Sequence, residues 1–541
     1  MQNEENDSRI AAHGEPPPPR SVQDTVLRNS ALLGIVFVFN LFAGLITSSL
    51  LTHLLGRDLY GVYGNYFRLY SWLATISAFI LPPVIVRYVA ELIGAGRVGR
   101  TWRLLKVSLW LQAANILVVF AAYLIFALLT KQFGGVGATM LAAIFVASIG
   151  QCFGQVWESF LRGFQDFKAP AFANFAGAIA RLIGYSLLFL AAIASVTGTM
   201  WVFATSNIVY MMVLAVAVIM LHRARPDTGS DVVPETGLRK RIIEYASMMG
   251  AGGLLSMVIW YNVETFMIAE WWSGKPGRDA ELAFYTLAIT LSSLPVRIGK
   301  MMSQALLPAF SELYGSGEMD RLRRGFHQAT VLSTIIGAFL CCVGAACATP
   351  FIRLLYPDDM LGAVIPFQLM LIPVLFMSIN HAGSAALSAL EWQRFYLATT
   401  IVLVPINLAL DWWLVPKHGA LGASIVNAIM QTLAVLTGLY YICVRRKIGF
   451  PVRKAAASLM AALITAGLAF GFTLLADGIR LHDVATLAII AVGATVIYLL
   501  LLRIFGVMGE GERAALMRGE RLLPESLRAV YRQLVVLAAG K

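Results

Sequence analysis

The sequence predicts an all-α polytopic membrane protein with about 14 transmembrane helices, and three observations carry that reading. Apolar stretches of ~20 residues, each able to cross ~30 Å of hydrocarbon as a helix, recur every ~30–40 residues from about Ala31 to Phe505. The chain of 541 residues is 58% hydrophobic and only 13% charged, with mean hydropathy +0.73. Ordinary soluble domains carry about 25% charged residues, and unpaired charge is what hydrocarbon rejects. Finally, Lys and Arg gather in alternate connections, the pattern of a chain threaded back and forth.

Residues 1–25 are polar and broken by Pro16–Pro19, with no short apolar core of a signal peptide, so a disordered cytoplasmic tail is expected. The predicted spans are 31–53, 62–86, 105–129, 138–161, 171–194, 199–221, 245–271, 282–307, 328–349, 363–390, 395–415, 420–443, 456–476 and 484–505. Basic connections, such as those with Arg97, Arg100 and Arg103, with Arg223 and Arg225, and with Arg445 and Arg446, all fall on one side. The positive-inside rule puts that side and both termini in the cytoplasm of a cell inner membrane. The net charge of +12 therefore reflects topology, and no nucleic-acid partner is expected.

The first six spans and the next six resemble each other. Glu-Leu-Ile-Gly-Ala-Gly at 91–96 parallels Glu-Leu-Tyr-Gly-Ser-Gly at 312–317. Leu161–Lys168 parallels Leu387–Arg394, and Gly198 parallels Gly419, at similar offsets. This divides the chain into a six-helix lobe at 26–222, a charged linker at 223–242 and a second six-helix lobe at 243–444. Two additional helices follow at 445–508, then an amphipathic tail at 509–541 suited to the membrane surface. An even-numbered repeat sets the pseudo-axis along the membrane normal.

Cofactor motifs are missing or misplaced. Gly94, Gly96 and Gly99 spell a GxGxxG, but a membrane helix precedes it and a basic stretch follows, so it reads as a turn. There is no GxxxxGK[ST], no HExxH and no CxxC among the five cysteines. No cofactor or metal is expected. The chemistry lies instead in intramembrane charge: Arg68, Arg181, Arg297 and Lys300, with Glu264 the acidic counterpart. A charge at the bilayer centre costs at least ~2.5–3.5 kcal/mol unless paired or facing water. Arg297 and Lys300 lie about one helical turn apart, on one face. The excess of cations predicts a water-filled cavity for an anionic head group such as a phosphate. Glu264 and the intramembrane His381 are candidates for gating or ion coupling.

At Leu51–Gly64 (LTHLLGRDLYGVYG) the chain is similar to the first outer loop of the oligosaccharide-lipid flippases, with their leucine-glycine-x-x-x-tyrosine-glycine pattern. Gln304–Gly317 (QALLPAFSELYGSG) is similar to the end of their eighth span. The resemblance covers about residues 25–505 and is to the polysaccharide-transporter branch of the multidrug/oligosaccharidyl-lipid/polysaccharide (MOP) flippase superfamily. It implies two lobes in a V around a central cavity, and alternating access driven by H+, Na+ or membrane potential. It also implies a polyprenyl-pyrophosphate-linked oligosaccharide as cargo and membrane lipid as surroundings, with a polysaccharide polymerase as a candidate partner. Lipid II flippases and multidrug antiporters of the same superfamily are the near alternatives. A membrane glycosyltransferase or polymerase is the distant one, disfavoured by short outer loops in which Asp358–Asp359 is the only adjacent acidic pair.

Overall fold

The structure, a computed structural model, describes residues 22–78, 81–94, 98–129, 137–224, 253–260, 263–315, 317–389, 393–479, 481–509, 512–513, 517 and 525–539. The tail before residue 22, most of the 223–242 linker and much of the stretch 510–524 lie outside the described residues, as does the Lys300 side chain. Among the described residues the chain is helical throughout, with no strand.

The helices are α1 (Val22–Ala78), α2 (Leu81–Gly94), α3 (Val98–Leu129), α4 (Ala138–Gly163), α5 (Lys168–Leu190) and α6 (Val196–Ala224). After the helical segment 253–260 come α7 (Glu264–Trp271), α8 (Arg278–Gly315), α9 (Met319–Ala346), α10 (Ala348–Leu355), α11 (Val364–Ile379) and α12 (His381–Ala389). The last are α13 (Gln393–Tyr440), α14 (Val452–Gly478), α15 (Asp483–Ile504) and α16 (Glu525–Ala539). Ten stretches of the described residues are long and apolar enough to cross a membrane. Two of these each hold two predicted spans: α1 turns back at Gly56 (φ 67°) and α13 at Gly419 (φ 52°). Both glycines occupy backbone that an L side chain resists.

Of span seven, residues 253–260 and 264–271 are helical, and residues 245–252 and 261–262 lie outside the described residues. Span eight lies within α8, with Arg297 and Lys300 inside it. Span ten breaks at Asn380 into α11 and α12, although Pro373 is accommodated inside α11.

The end carrying Arg100, Arg162, Arg223, Arg321 and Arg445 is called the basic end here, and the opposite one the far end. At the basic end the helices have separate cores. Trp102, Phe160 and Leu214 pack within α1–α6, and Phe310, Phe326 and Leu387 within α7–α13. Further from it a single core joins the two groups through Leu51, Tyr60 and Leu73 of α1 and Leu282, Tyr285 and Tyr356. The groups meet chiefly along α1 and α8. A Cβ at Gly61 would lie 2.0 Å from the Asp279 carbonyl oxygen, and one at Gly64 2.1 Å from Thr286 Oγ1. Small residues permit this close approach of two membrane helices. Tyr356 Oη also lies 3.2 Å from Ser48 Oγ across the seam. The molecule is thus joined at the far end and divided at the basic end. Helix α14 packs on α9, and α15 follows it, with Tyr498 donating to the Ile335 carbonyl at 2.9 Å.

Candidate functional site

Each helix group buries a polar centre. In the first group, Arg181 of α5 donates from Nε to Ser206 Oγ at 3.3 Å, and its guanidinium carbon lies 4.8 Å from the centre of the Phe203 ring. Asn207 of α6 donates to Tyr70 Oη of α1 at 3.2 Å and to the Ala147 carbonyl at 3.3 Å. Tyr63, Tyr70 and Tyr185, all buried, lie within electrostatic reach of Arg181.

Arg181 lines a cavity of about 620 Å³ between the helix groups, bounded by α1, α2, α4, α5, α6 and residues 253–257. Among its described lining residues Arg181 is the one charged side chain, and none is acidic. Arg297 of α8 is exposed yet largely surrounded by protein, and close enough to Arg181 for their charges to repel. Two helices from opposite groups thus bring guanidinium groups toward one space. Unpaired, like charges there are unfavourable, and a bound dianion would relieve both repulsion and desolvation.

The second centre has the opposite sign. Glu264, Asp411, Asn407 and Asn427 are buried together with Tyr285. Tyr285 donates to Glu264 Oε2 at 3.0 Å, and Asn427 donates to Tyr285 Oη at 2.6 Å. Asn407 donates to Asp411 Oδ2, one helical turn away in α13. Gln431 closes the network by donating to Asn427 Oδ1 and to the Ile259 carbonyl. Among the described residues, Glu264 Oε1, Asp411 Oδ1 and Asn407 Oδ1 of this network have no hydrogen-bond donor. Unsatisfied buried oxygens beside two carboxylates suit a proton or a hard cation, which takes oxygen ligands. Among the described residues no cluster of three His, Cys, Asp or Glu side chains could hold a metal ion.

Arg68 of α1 lies within electrostatic reach of both Glu264 and Tyr285, so a cation of the first group faces the acidic centre of the second. His381 lies against the Arg297 stretch of α8. It is buried against Gly299 of α8, where a Cβ would lie 1.5 Å from Nε2, and among the described residues that nitrogen has no hydrogen-bond partner.

The sequence reading counted Glu264 as the one clear intramembrane acid, and this needs correction. Asp411 lies inside span eleven and is fully buried. Glu158 lies inside span four, where it accepts from Tyr210 and pairs with Arg162. The signal for Asp411 was present: an intramembrane carboxylate with an asparagine four residues before it, on the same helix face.

The sequence pattern of the polysaccharide biosynthesis protein family matches residues 26–314, more than half of the chain. The chain belongs to the polysaccharide biosynthesis protein family. The MatE pattern matches residues 251–413. No curated protein matches the sequence. Among solved structures, a lipid II flippase MurJ in an inward closed conformation superposes with TM-score 0.62 and 14% identity, over 88% of this chain and 98% of that one. An inward-facing multidrug resistance MATE family transporter of the MOP superfamily gives TM-score 0.58 and 16% identity, over 78% and 98%. A MOP superfamily transporter from Pyrococcus furiosus, described as having a binding pocket of reverse polarity, gives 0.56 and 17%, over 78% and 94%. This member of the polysaccharide biosynthesis family therefore has the fold of the solved MOP-superfamily transporters and flippases named above.

Proposed function

We propose that this protein turns a polyprenyl-pyrophosphate-linked oligosaccharide from the cytoplasmic to the outer leaflet of the inner membrane by alternating access. The observation that carries the reading is Arg181, lining a cavity whose described walls hold no acid, with Arg297 of the other helix group within electrostatic reach of it. A pyrophosphate carries at least two negative charges, and the two guanidinium forks offer planar, bidentate partners to its oxygens. Lys300, one turn from Arg297, adds a point charge to the same face. A cationic drug would be repelled from this space.

The basic end is the cytoplasmic end, with both termini there. The cavity then opens toward the leaflet where the cargo is assembled, while the α1–α8 seam closes the outer side. The lipid tail stays in the bilayer between two six-helix lobes, 26–222 and 243–444, and the two helices of 445–508 stand beside them. A polysaccharide polymerase would take up the flipped unit.

The acidic centre is the coupling site. H+ or Na+ entering between Glu264 and Asp411 satisfies the unpaired oxygens and neutralises one carboxylate. It also weakens the hold of that centre on Arg68, which belongs to the other lobe. Ion binding would in this way loosen the outer gate, consistent with a ligand shifting a two-state equilibrium by its differential affinity.

The test uses a strain lacking its own flippase, in which lipid-linked oligosaccharide accumulates on the inner leaflet. Arg297→Ala should abolish export while protein abundance stays near normal. Arg297→Lys should retain part of it, because charge remains and the fork is lost. Normal polymer export by Arg297→Ala would refute the anion-binding role.

A further inference from the structure

Beside Arg181 the cavity wall changes character. Helix α4 presents Gln151 and Gln155, one turn apart and so on one face. Across from them α1 contributes Phe67, Ser71 and Thr75. No hydrogen bond among the described residues engages either glutamine amide, although Asn207, in the same wall, is fully used in bracing Tyr70 and the Ala147 carbonyl. Two unspent amides in a membrane interior are costly to keep without a polar partner. Each offers a carbonyl acceptor and an amino donor, and side by side they can hold adjacent hydroxyls of one ring.

Their depth fits an arrangement in sequence. Counting ~1.5 Å per residue, Gln151 lies about 18 Å and Gln155 about 12 Å from the basic end of α4, while Arg181 lies about 20 Å from the basic end of α5. The amides therefore start level with the arginine and run toward the basic end. The wall near them holds no carboxylate, and Arg181 is its one described charge.

We propose that Gln151 and Gln155 form a subsite for an uncharged sugar. On this assignment the first saccharide of the cargo lies along α4 while its pyrophosphate sits between Arg181 and Arg297. The half-buried Phe67 ring provides an apolar wall for the C–H face of the pyranose, and the amides address its hydroxyl or acetamido groups. The subsite rests on the pyrophosphate reading above, and makes α4 the helix that sets sugar specificity. The volume of about 620 Å³ lies within the usual range for small-molecule sites.

The test is a set of affinities measured with the full-length protein in nanodiscs. The probes are bare polyprenyl pyrophosphate and the same lipid carrying N-acetylglucosamine, N-acetylgalactosamine or galactose. At least one glycosylated probe should bind the wild type more tightly than the bare lipid. Gln151→Ala/Gln155→Ala should weaken that probe about tenfold, the loss expected for two hydrogen bonds, and leave the bare lipid within about twofold. Arg181→Ala should weaken both probes alike, and the thermal midpoint of each variant establishes that it is folded. Equal affinity of bare and glycosylated lipids for the wild type, or an equal loss on both in the glutamine variant, overturns the sugar subsite and leaves the pyrophosphate reading standing. Failure of the wild type to bind any of the probes overturns both.

Discussion

The two helix groups are built alike and charged oppositely. In each, an asparagine of the last helical segment braces a tyrosine on the segment that meets the other group. Asn207 donates to Tyr70 in the first, and Asn427 donates to Tyr285 in the second. The contrast sits on the neighbouring segment. At the offsets of the sequence repeat, 221 to 226 residues, Arg181 of span five maps to residues 402–407 of span eleven, ending at Asn407, with Asp411 one turn further on. One scaffold therefore offers a cation where the other offers a carboxylate with an amide. A fold that holds a buried polar group at this depth can assign anionic cargo to one half and a coupling cation to the other.

The strongest way to break the contrast is to invert it. Arg181→Glu places a carboxylate in the cavity wall, level with where the pyrophosphate would lie. Breaking one partner of a buried charge pair costs about 3–5 kcal/mol, and repulsion adds to this. Export should fall by at least about a hundredfold, below that of Arg181→Ala, by the leaflet-accumulation assay. Near-normal export by Arg181→Glu would remove the cationic half of the comparison.

A smaller effect is expected from neutralising the acidic half. Glu264→Gln and Asp411→Asn keep shape and much of the hydrogen bonding but remove the charge that draws a cation. In proteoliposomes, flipping driven by an imposed H+ or Na+ gradient should drop to the level without a gradient. Lipid affinity should stay within about twofold. Loss of lipid affinity with coupling intact would mean that the two centres do not divide their labour.

The bridge between halves gives a third, intermediate test. Arg68 faces Glu264 from the other group, so Arg68→Glu and Glu264→Arg should each impair transport. The double exchange should recover part of the activity, with a coupling of about 0.5–3 kcal/mol in the cycle. Strictly additive defects would show that the two charges act independently.

Much of this was legible in sequence, and the gaps have physical causes. Hydropathy located the long helices because lipid enforces apolar runs on every residue of a span. It did not locate the break at Asn380, because a hydropathy window averages over a single polar residue inside an apolar run. Arg68, Arg181 and Arg297 stood out as charges in apolar runs, and the structure brings the last two together from distant segments. His381 stood out in the same way and packs against Gly299, two residues from Arg297. Asp411 escaped because it adjoins Trp412 and Trp413 near a predicted span end, where an acid reads as interfacial. Only the arrival of Glu264 and Tyr285 from other helices marks it as part of a centre.

The smallest effect belongs to a charge pair outside the spans, and it sharpens the comparison by showing what charge alone does. Lys454 Nζ lies 2.6 Å from Glu512 Oε1 at the basic end, tying the start of α14 to the stretch after α15. Burial opposes ionisation of Glu512, but the Lys454 ammonium and the backbone N–H of Gly509 outweigh it and hold the carboxyl below its usual range. Lys454 is about a third exposed, so solvent screens the pair, and Lys454→Ala should cost about 1 kcal/mol or less. A depressed carboxyl contributes stability above its unfolded value of about 4.3, and that contribution is lost as pH falls through the lower folded value. The thermal midpoint of Lys454→Ala should therefore lie slightly below wild type at pH 7, and the two should converge as the pH is lowered past 4. Export at neutral pH should be unchanged. If this variant lost export as Arg181→Glu does, the effect of charge would not depend on its place in the membrane, and the opposed centres would lose their meaning.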